Sequence, residues 1–358
     1  MTKEPELETP GLDAQPALYR FSEESRPTSE YSELREILTQ KGLLVKEPTR
    51  YIYGILLTIS LFALALCVPM ISRNLWSQLS SAFLLAFIST RLAFFFHDAG
   101  HRQIFSTRWI NDVLGLILAN LMLGWSYGRW VRSHNLHHAN PNEPDRDPDI
   151  ADVPILAFTP EQALTKRGAT RFLTNHQAYL FLILSLLGSF SWRFRSIEFL
   201  LRNKMVRYRQ VEILLIVVHS ALYFGLLFSL MGFTHALFFI LIHQMVFGFY
   251  IGSVFAASHK GMKYGCKDTQ CGFLRQQVLS TRNIKSNLLS DLWYGPMACH
   301  IEHHLFPGMS RDKLKEARII VKAFCCEHAI PYAETGGLRS YEDALKHLHV
   351  IGARVRKE

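Results

Sequence analysis

Four stretches of this 358-residue chain are nearly empty of charge, and cysteine is scarce throughout. Of the six cysteines, Cys67 lies in an apolar run and the other five fall in the last third, where a cytosolic setting keeps them reduced. Cys266 and Cys271 have a metal-like spacing but no second pair to complete a tetrahedral zinc site. No glycine-rich dinucleotide fingerprint is present, which argues against a bound flavin or nicotinamide. No repeat of fixed period occurs either. The first fifty residues are polar and lack the charged start, short apolar core and cleavage site of a secretory signal, so the chain is expected to begin on the cytosolic side.

What the chain has instead is apolar length. Residues 51–71 and 76–96 are runs of bilayer-spanning size separated by Ser72-Arg73-Asn74-Leu75, and residues 212–231 and 234–257 repeat that plan around Gly232. Each pair predicts a helical hairpin that returns the chain to its starting side. Two shorter apolar stretches, near 110–127 and 179–190, predict interfacial helices, since the first carries Asn111-Asp112 and Asn120 and the second is short of spanning length. Lys and Arg avoid the two outer turns, which hold only Arg73, so both termini are expected inside. The net charge of +9 then fits lipid headgroups and a phosphorylated substrate better than nucleic acid.

The expected fold is an all-α integral membrane protein, with about four transmembrane helices in two hairpins and a cytosolic helical cap. Residues 1–27, rich in Pro, Glu and Ser, are expected to be a disordered tail. Tyr31, Leu34, Ile37 and Leu38 predict a short amphipathic helix ending at Gly42, lying on the membrane or against the catalytic body. The main domain is expected over 28–332, with a soluble helix from Ser310 to about Cys326. A helical tail follows over 333–358, capped by Ser340.

Histidine carries the chemistry. Eight of the 16 histidines form three clusters: His97 and His101; His134, His137 and His138; and His300, His303 and His304. Spacings of three and four place the imidazoles of each cluster on one helix face. All three clusters follow apolar segments, and the parity of the spans puts them on the same membrane face, together with His259 at the end of the fourth run. Nine neutral imidazoles exceed what one metal can use, so two metals are implied, and nitrogen-rich ligation suits iron that must meet dioxygen. His219, His235 and His243, in or beside spans, are expected to make helix-packing hydrogen bonds.

With its H-x3-H, H-x2-H-H and H-x2-H-H boxes in this order around two hairpins, and the trailing Glu302-His303-His304-Leu305-Phe306-Pro307, the chain resembles the membrane fatty acid desaturase family from about Tyr31 to Tyr332. Pro141-Asn142, Asp147-Pro148-Asp149, His259-Lys260-Gly261-Met262 and Ser280-Thr281-Arg282-Asn283 look most like its actinobacterial acyl-CoA desaturases. The resemblance implies a di-iron, dioxygen-dependent enzyme that removes two hydrogens from adjacent methylenes of a fatty acyl-CoA, in a bacterial plasma membrane with its site on the cytoplasmic face. His97, His101, His134, His137, His138, His259, His300, His303 and His304 would be the iron ligands, and no catalytic residue beyond them is implied. The His-Pro-Gly-Gly hallmark of a fused haem domain is absent, so no haem is expected and a separate ferredoxin, rubredoxin or flavin-containing reductase would supply electrons.

Around the boxes, Asp98 and Glu302 are the best candidates to accept the second ring N–H of ligand histidines, with Asp145, Asp147, Asp149 and Asp291 as further candidates. Arg102, Arg129, Arg132, Arg282 and Lys285 are candidates to meet coenzyme A phosphates. Phe94, Phe95, Phe96, Trp125, Trp293 and Tyr294 are candidates to line an acyl tunnel. Front-end desaturases of the family, which act between an existing double bond and the carboxyl end, carry Gln where this chain has His300. That difference favours a delta-9-like activity, with a front-end or acyl-lipid desaturase, or a di-iron hydroxylase, as the enzymatic alternatives. A membrane metal transporter or haem electron carrier is the non-enzymatic one.

Overall fold

The apolar periodicity at the start of the chain becomes a helix, α1 (Ser29–Gln40), that buries Leu34 and Leu38 and stops before Gly42, whose φ of 69° is the left-handed region glycine favours. The structure is a computed structural model that describes residues 29–151, 153, 155–262 and 272–356. The expected tail over 1–27 and the Cys266–Cys271 pair lie outside these residues.

The first hairpin is α2 (Pro48–Ile71) and α3 (Leu75–Gly100), with the Asn74 side chain capping α3 by accepting from Ser77 N at 3.2 Å. Inside the pair, Ser81 Oγ donates to the Ala65 carbonyl at 2.6 Å. Then α4 (Arg108–Leu116) continues as a π-helical stretch over Ile117–Leu123, and Gly124, at φ 70°, turns the chain by 112° into α5 (Tyr127–Ala139). Polar groups explain why this segment is bent. Asn111 bonds the carbonyls of Phe105 and Thr107, while Asn120 and Ser126 both donate to the buried Glu212.

Two short helices, α6 (Pro160–Thr165) and α7 (Gly168–Asn175), lead to α8 (Gln177–Ser185) and α9 (Gly188–Arg202), which meet at a 72° elbow. The second long apolar length, Arg209–His259, is divided at Gly232 into α10 (Arg209–Met231) and α11 (Phe233–His259). Tyr223 meets His243 at 2.7 Å across the two. This length, α2 and α3 are long and apolar enough to cross a membrane; each bent pair adds one more if it is counted as a span. The outer faces of α2 and α10 leave Leu57, Leu64, Leu214 and Leu222 exposed, as a lipid-facing surface requires.

The rest of the chain covers the end where α3 and α11 finish. It comprises α12 (Phe273–Ser280), β1 (Asn283–Ile284), α13 (Leu288–Tyr294), α14 (His300–Leu305), α15 (Leu314–Glu327), β2 (Glu334–Thr335) and α16 (Gly337–Arg356). The parallel β1–β2 ladder is a small exception to the all-helical expectation. Leu34 and Leu38 of α1 join Ile301, Leu305, Ala317, Val321 and Phe324 in one apolar core. The amphipathic first helix therefore packs on the cap. α16 starts earlier than expected, so Ser340 is not its cap; its hydroxyl donates to the Gly337 carbonyl inside the first turn. Leu348 and Ile351 of α16 are buried, tying this helix into the same body.

Candidate metal centre

Helices α3, α5, α11 and α14 each deliver histidines to one place. His97 and His101 lie at the end of α3, His134, His137 and His138 in α5, His259 at the end of α11, and His300, His303 and His304 in α14. All nine are buried except His101, which is half-buried. Two groups emerge. His97, His101, His134 and His303 each turn a ring nitrogen to within 4.8 Å of the others, and so do His137, His259 and His304. His138 Nε2 joins the first group at 3.1 Å from both His134 Nε2 and His303 Nε2, and His300 Nε2 joins the second at 2.7 Å from His259 Nε2.

These contacts set nitrogen against nitrogen. A neutral imidazole has one donor and one acceptor, and His137 commits its Nδ1–H to Asp147 (3.0 and 2.9 Å), so its Nε2 presents a lone pair 3.2 Å from His259 Nε2. Burial holds His101, His134, His138, His303 and His304 well below the usual imidazole value, which keeps their lone pairs available. Burial also opposes charge on His137, but Asp147 and Asp149 outweigh it and raise its value. His97 Nε2, His101 Nε2, His303 Nδ1 and His304 Nε2 are buried without a protein partner. Converging lone pairs and orphaned ring nitrogens fit cations, and the all-nitrogen donor set fits iron.

Three side chains orient the rings from outside. Asp98 Oδ1 accepts from His97 Nδ1 at 3.0 Å, and its Oδ2 is held by Arg311 at 2.5 Å, whose guanidinium lies 4.2 Å over the Phe95 ring. Asp147 holds His137, and Gln277 Oε1 accepts from His304 Nδ1 at 2.9 Å while its amide donates to the His138 carbonyl. Asp98 thus bonds a box histidine, and Glu302, the other candidate, does not: its carboxylate takes Asn283 Nδ2 and Tyr332 Oη, because the outward face of α14 meets β1 and the segment before β2. Asp291 bonds Ser286 and Lys315, and Asp145 is exposed. Gln277, three residues before the Ser280–Asn283 stretch, was not foreseen, and Asn283 was named only as part of that stretch. Asn142, in the left-handed region at φ 59°, donates to the carbonyls of His259 and Ser280 and was flagged only as part of a motif.

Against His134, His137 and His259 opens a cavity of 360 Å³ between α5, the loop after it, the α8–α9 elbow and α11. Its walls are largely apolar, including Trp125, Trp130, Phe181, Leu184, Trp192 and Phe255. Trp125 is thus the one tunnel aromatic expected from sequence that lines it. Phe96 packs behind Trp125 and Trp130, Phe95 under Arg311, and Phe94 with Trp293 and Tyr294 in a separate cluster. Trp130, not foreseen, stacks on His134 at 4.4 Å and leaves no room for a side chain at position 100, where a Cβ would come within 2.4 Å of its ring. Of the proposed headgroup residues, Arg129 lines the cavity. Arg132 and Lys285 are exposed outside its lining, and Arg282 is buried against Asp343 and the Lys260 carbonyl, a structural role that replaces the phosphate contact expected of it. His219, His235 and His243 bond Arg193, Gln78, Ser89 and Tyr223 within the helical bundle, as expected.

The family model described as fatty acid desaturase matches residues 74–336. An acyl-lipid (9-3)-desaturase of the moss Physcomitrium patens is 31% identical over 327 residues, which are 87% of this chain and 61% of the moss protein; the chain thus spans less than two thirds of that relative. The Delta(6)-fatty-acid desaturase fat-3 of Caenorhabditis elegans is 29% identical (87% and 72% covered), and a Delta(8)-fatty-acid desaturase of Euglena gracilis is 27% identical (92% and 80% covered). These relatives are eukaryotic and none is an actinobacterial acyl-CoA desaturase, which corrects the subgroup expected from the short motifs.

Proposed function

The chain belongs to the fatty acid desaturase family, and on that premise we propose that it is a front-end desaturase, inserting a double bond on the carboxyl side of a long acyl chain held in the membrane. The relatives' names, which carry Delta(6) and Delta(8), support this over the delta-9-like reading. His300 had favoured the latter. In the structure it sits 2.7 Å from His259, inside the second histidine group and outside the cavity lining.

The observation that carries the proposal is the convergence of nine histidines, buried or nearly so, on the end of an apolar cavity. His97, His101, His134, His138 and His303 would hold one iron and His137, His259, His300 and His304 the other. When bound, the irons supply the oxidising power that an unactivated methylene requires, since it has no acidic proton for a side-chain base to take. Loss of two hydrogens supplies two of the four electrons that dioxygen accepts, and an external donor supplies the other two. The chain's own residues do the rest. Asp98, Asp147 and Gln277 fix ring orientations, Arg311 holds Asp98 in its bonded position, and Trp130 and Trp125 form a dry wall that holds the acyl chain beside the histidines.

Four spans in two hairpins, with the histidines and both termini on the cytosolic side, complete the reading; it follows from the parity of the apolar runs and from Arg73 being the lone cation in the outer turns. The test is expression with an electron-donor system in cells fed mono- and di-unsaturated acyl chains, followed by analysis of fatty acid methyl esters. New double bonds between the existing one and the carboxyl end support the proposal. Hydroxylated products, or a first double bond in saturated chains only, contradict it.

A further inference from the structure

The segment that leads into the third histidine cluster does not stay on the end of the helical bundle. α13 lies against the side of α3 and α11. Trp293 stacks on Tyr250 of α11 at 4.2 Å between ring centroids, meets Phe87 of α3 at 6.0 Å, and donates from Nε1 to Ser253 Oγ at 3.1 Å. Phe87 comes ten residues before His97 and Tyr250 nine before His259, so α13 touches both helices about 14–15 Å below the histidine level. Tyr250 Oη donates to the carbonyls of Leu292 (3.2 Å) and Trp293 (2.8 Å), so these two carbonyls at the end of α13 need no water.

α13 nonetheless turns its leucines outward. Leu288, Leu289 and Leu292 are 86%, 77% and 66% exposed. At about 100° per residue they fill one continuous arc of the helix. Trp293 stands at the edge of the arc that faces α3 and α11, and Asp291 at the other edge, where Ser286 and Lys315 hold its carboxylate at 2.9 and 2.7 Å. Ser290 and Tyr294 form the buried back. Adjacent exposed leucines mark a contact surface, and their neighbours say what covers it. Phe83, Phe87 and Arg91 recur at every fourth residue of α3 and share one face, on which Phe83 and Arg91 are exposed. A cation exposed on a span reaches for the headgroups, so Phe87, with Trp293 against it, lies one turn deeper than that boundary.

We propose that α13 is an in-plane membrane helix, with Leu288, Leu289 and Leu292 entering the headgroup–acyl boundary of the leaflet on the histidine side while Asp291 stays with the cap. The occupant is phospholipid, because the leucine arc continues the lipid-facing stripe of α3. The proposal rests on the reading of the long apolar helices as spans. It makes the leaflet a partner of the third histidine cluster: α13 passes through Gly295, at φ 54°, and a short helical turn over Gly295–Ala298 straight into α14 with His300, His303 and His304.

Fluorescence quenching in vesicles tests the placement. Leu289→Cys and Leu292→Cys, each combined with Cys67→Ser, Cys266→Ser, Cys271→Ser and Cys326→Ser, are labelled with bimane and reconstituted with iron into phosphatidylcholine vesicles. Quenching by phosphatidylcholine brominated near the top of its acyl chains is compared with quenching by iodide present on both sides of the bilayer. Leu64→Cys, on the exposed face of α2, and Ser32→Cys, on the exposed side of α1, serve as the lipid and water references in the same background. At positions 289 and 292 the ratio of lipid to iodide quenching is expected to exceed that at position 32 about fivefold or more, with iron content unchanged. Iodide quenching at 289 and 292 equal to that at 32, with position 64 quenched by lipid, overturns the in-plane helix and leaves the spans standing. Shielding of 289 and 292 from both quenchers also overturns it, since a protein surface such as a second copy then covers the leucines. Iodide reaching position 64 as freely as position 32 removes the spanning reading itself, and this proposal with it.

Discussion

Asp147→Ala tests the arrangement around the second histidine group most sharply. Asp147 accepts from His137 Nδ1 through both oxygens and also takes the amides of Asn142 and Asp149 at 2.9 Å, so one carboxylate fixes a ring and the loop that covers it. Losing a carboxylate that orients a ligand histidine costs 10- to 100-fold in metal affinity, roughly 1.4 to 2.7 kcal/mol. The value expected here lies near the upper end, because the loop loses its tie together with the ring. Asp147→Asn, which keeps one acceptor oxygen, is expected to lose less. The assay is competition for iron against a chelator of known affinity in detergent, with Glu302→Gln as the control, since Glu302 meets Asn283 and Tyr332 and no histidine. If Asp147→Ala holds iron within about twofold of the parent, Asp147 does not position a metal ligand.

Other expectations follow from the same geometry. In the metal-free protein, His101, His134, His138, His300, His303 and His304 have folded values below the unfolded 6.5, so the unfolded state binds more protons and stability falls as pH drops below about 6.5; His137, raised, acts in the opposite sense but is one imidazole against six. Melting in detergent that is flat from pH 7.5 to 5.0 contradicts this. Gly248→Ala places a Cβ 2.7 Å from Ser189 N and 2.9 Å from Ser185 O, both backbone atoms, and is expected to cost about 1–3 kcal/mol and to lower the melting temperature without loss of iron. His243→Gln, remote from the histidine groups and bonded to Ser89 and Tyr223, is expected to keep full iron content, whereas His300→Ala is expected to lose metal from the second group.

Much of the architecture is legible in the chain because it is periodic. Apolar runs of spanning length and histidines at spacings of three and four need no tertiary information, and the parity of the runs brings the three boxes and His259 to one side. What was hidden depends on who meets whom. Glu302 lies inside the third box and reads as a partner for a histidine ring, but the fold places Asn283 and Tyr332 around its carboxylate. Gln277 reaches the histidines from a segment with no metal-like pattern, and Trp130 reaches them from the second box's own helix, one turn before His134. The 112° bend that turns α5 and its histidines toward the others follows from Gly124 and from polar side chains such as Asn120 bonding to Glu212 across 92 residues. The step from His300 to delta-9 chemistry is the one the relatives' names support less than its front-end alternative, since the position of a double bond depends on how a cavity holds the chain and His300 lies outside the cavity lining.

The central claim is that these nine histidines form one two-iron centre. It is tested most directly by quantifying metal and recording the absorption spectrum of the purified, detergent-solubilised protein after expression in iron-replete cells. About two irons per chain, with no Soret band, is the predicted result. A single haem, or one zinc with negligible iron, contradicts it.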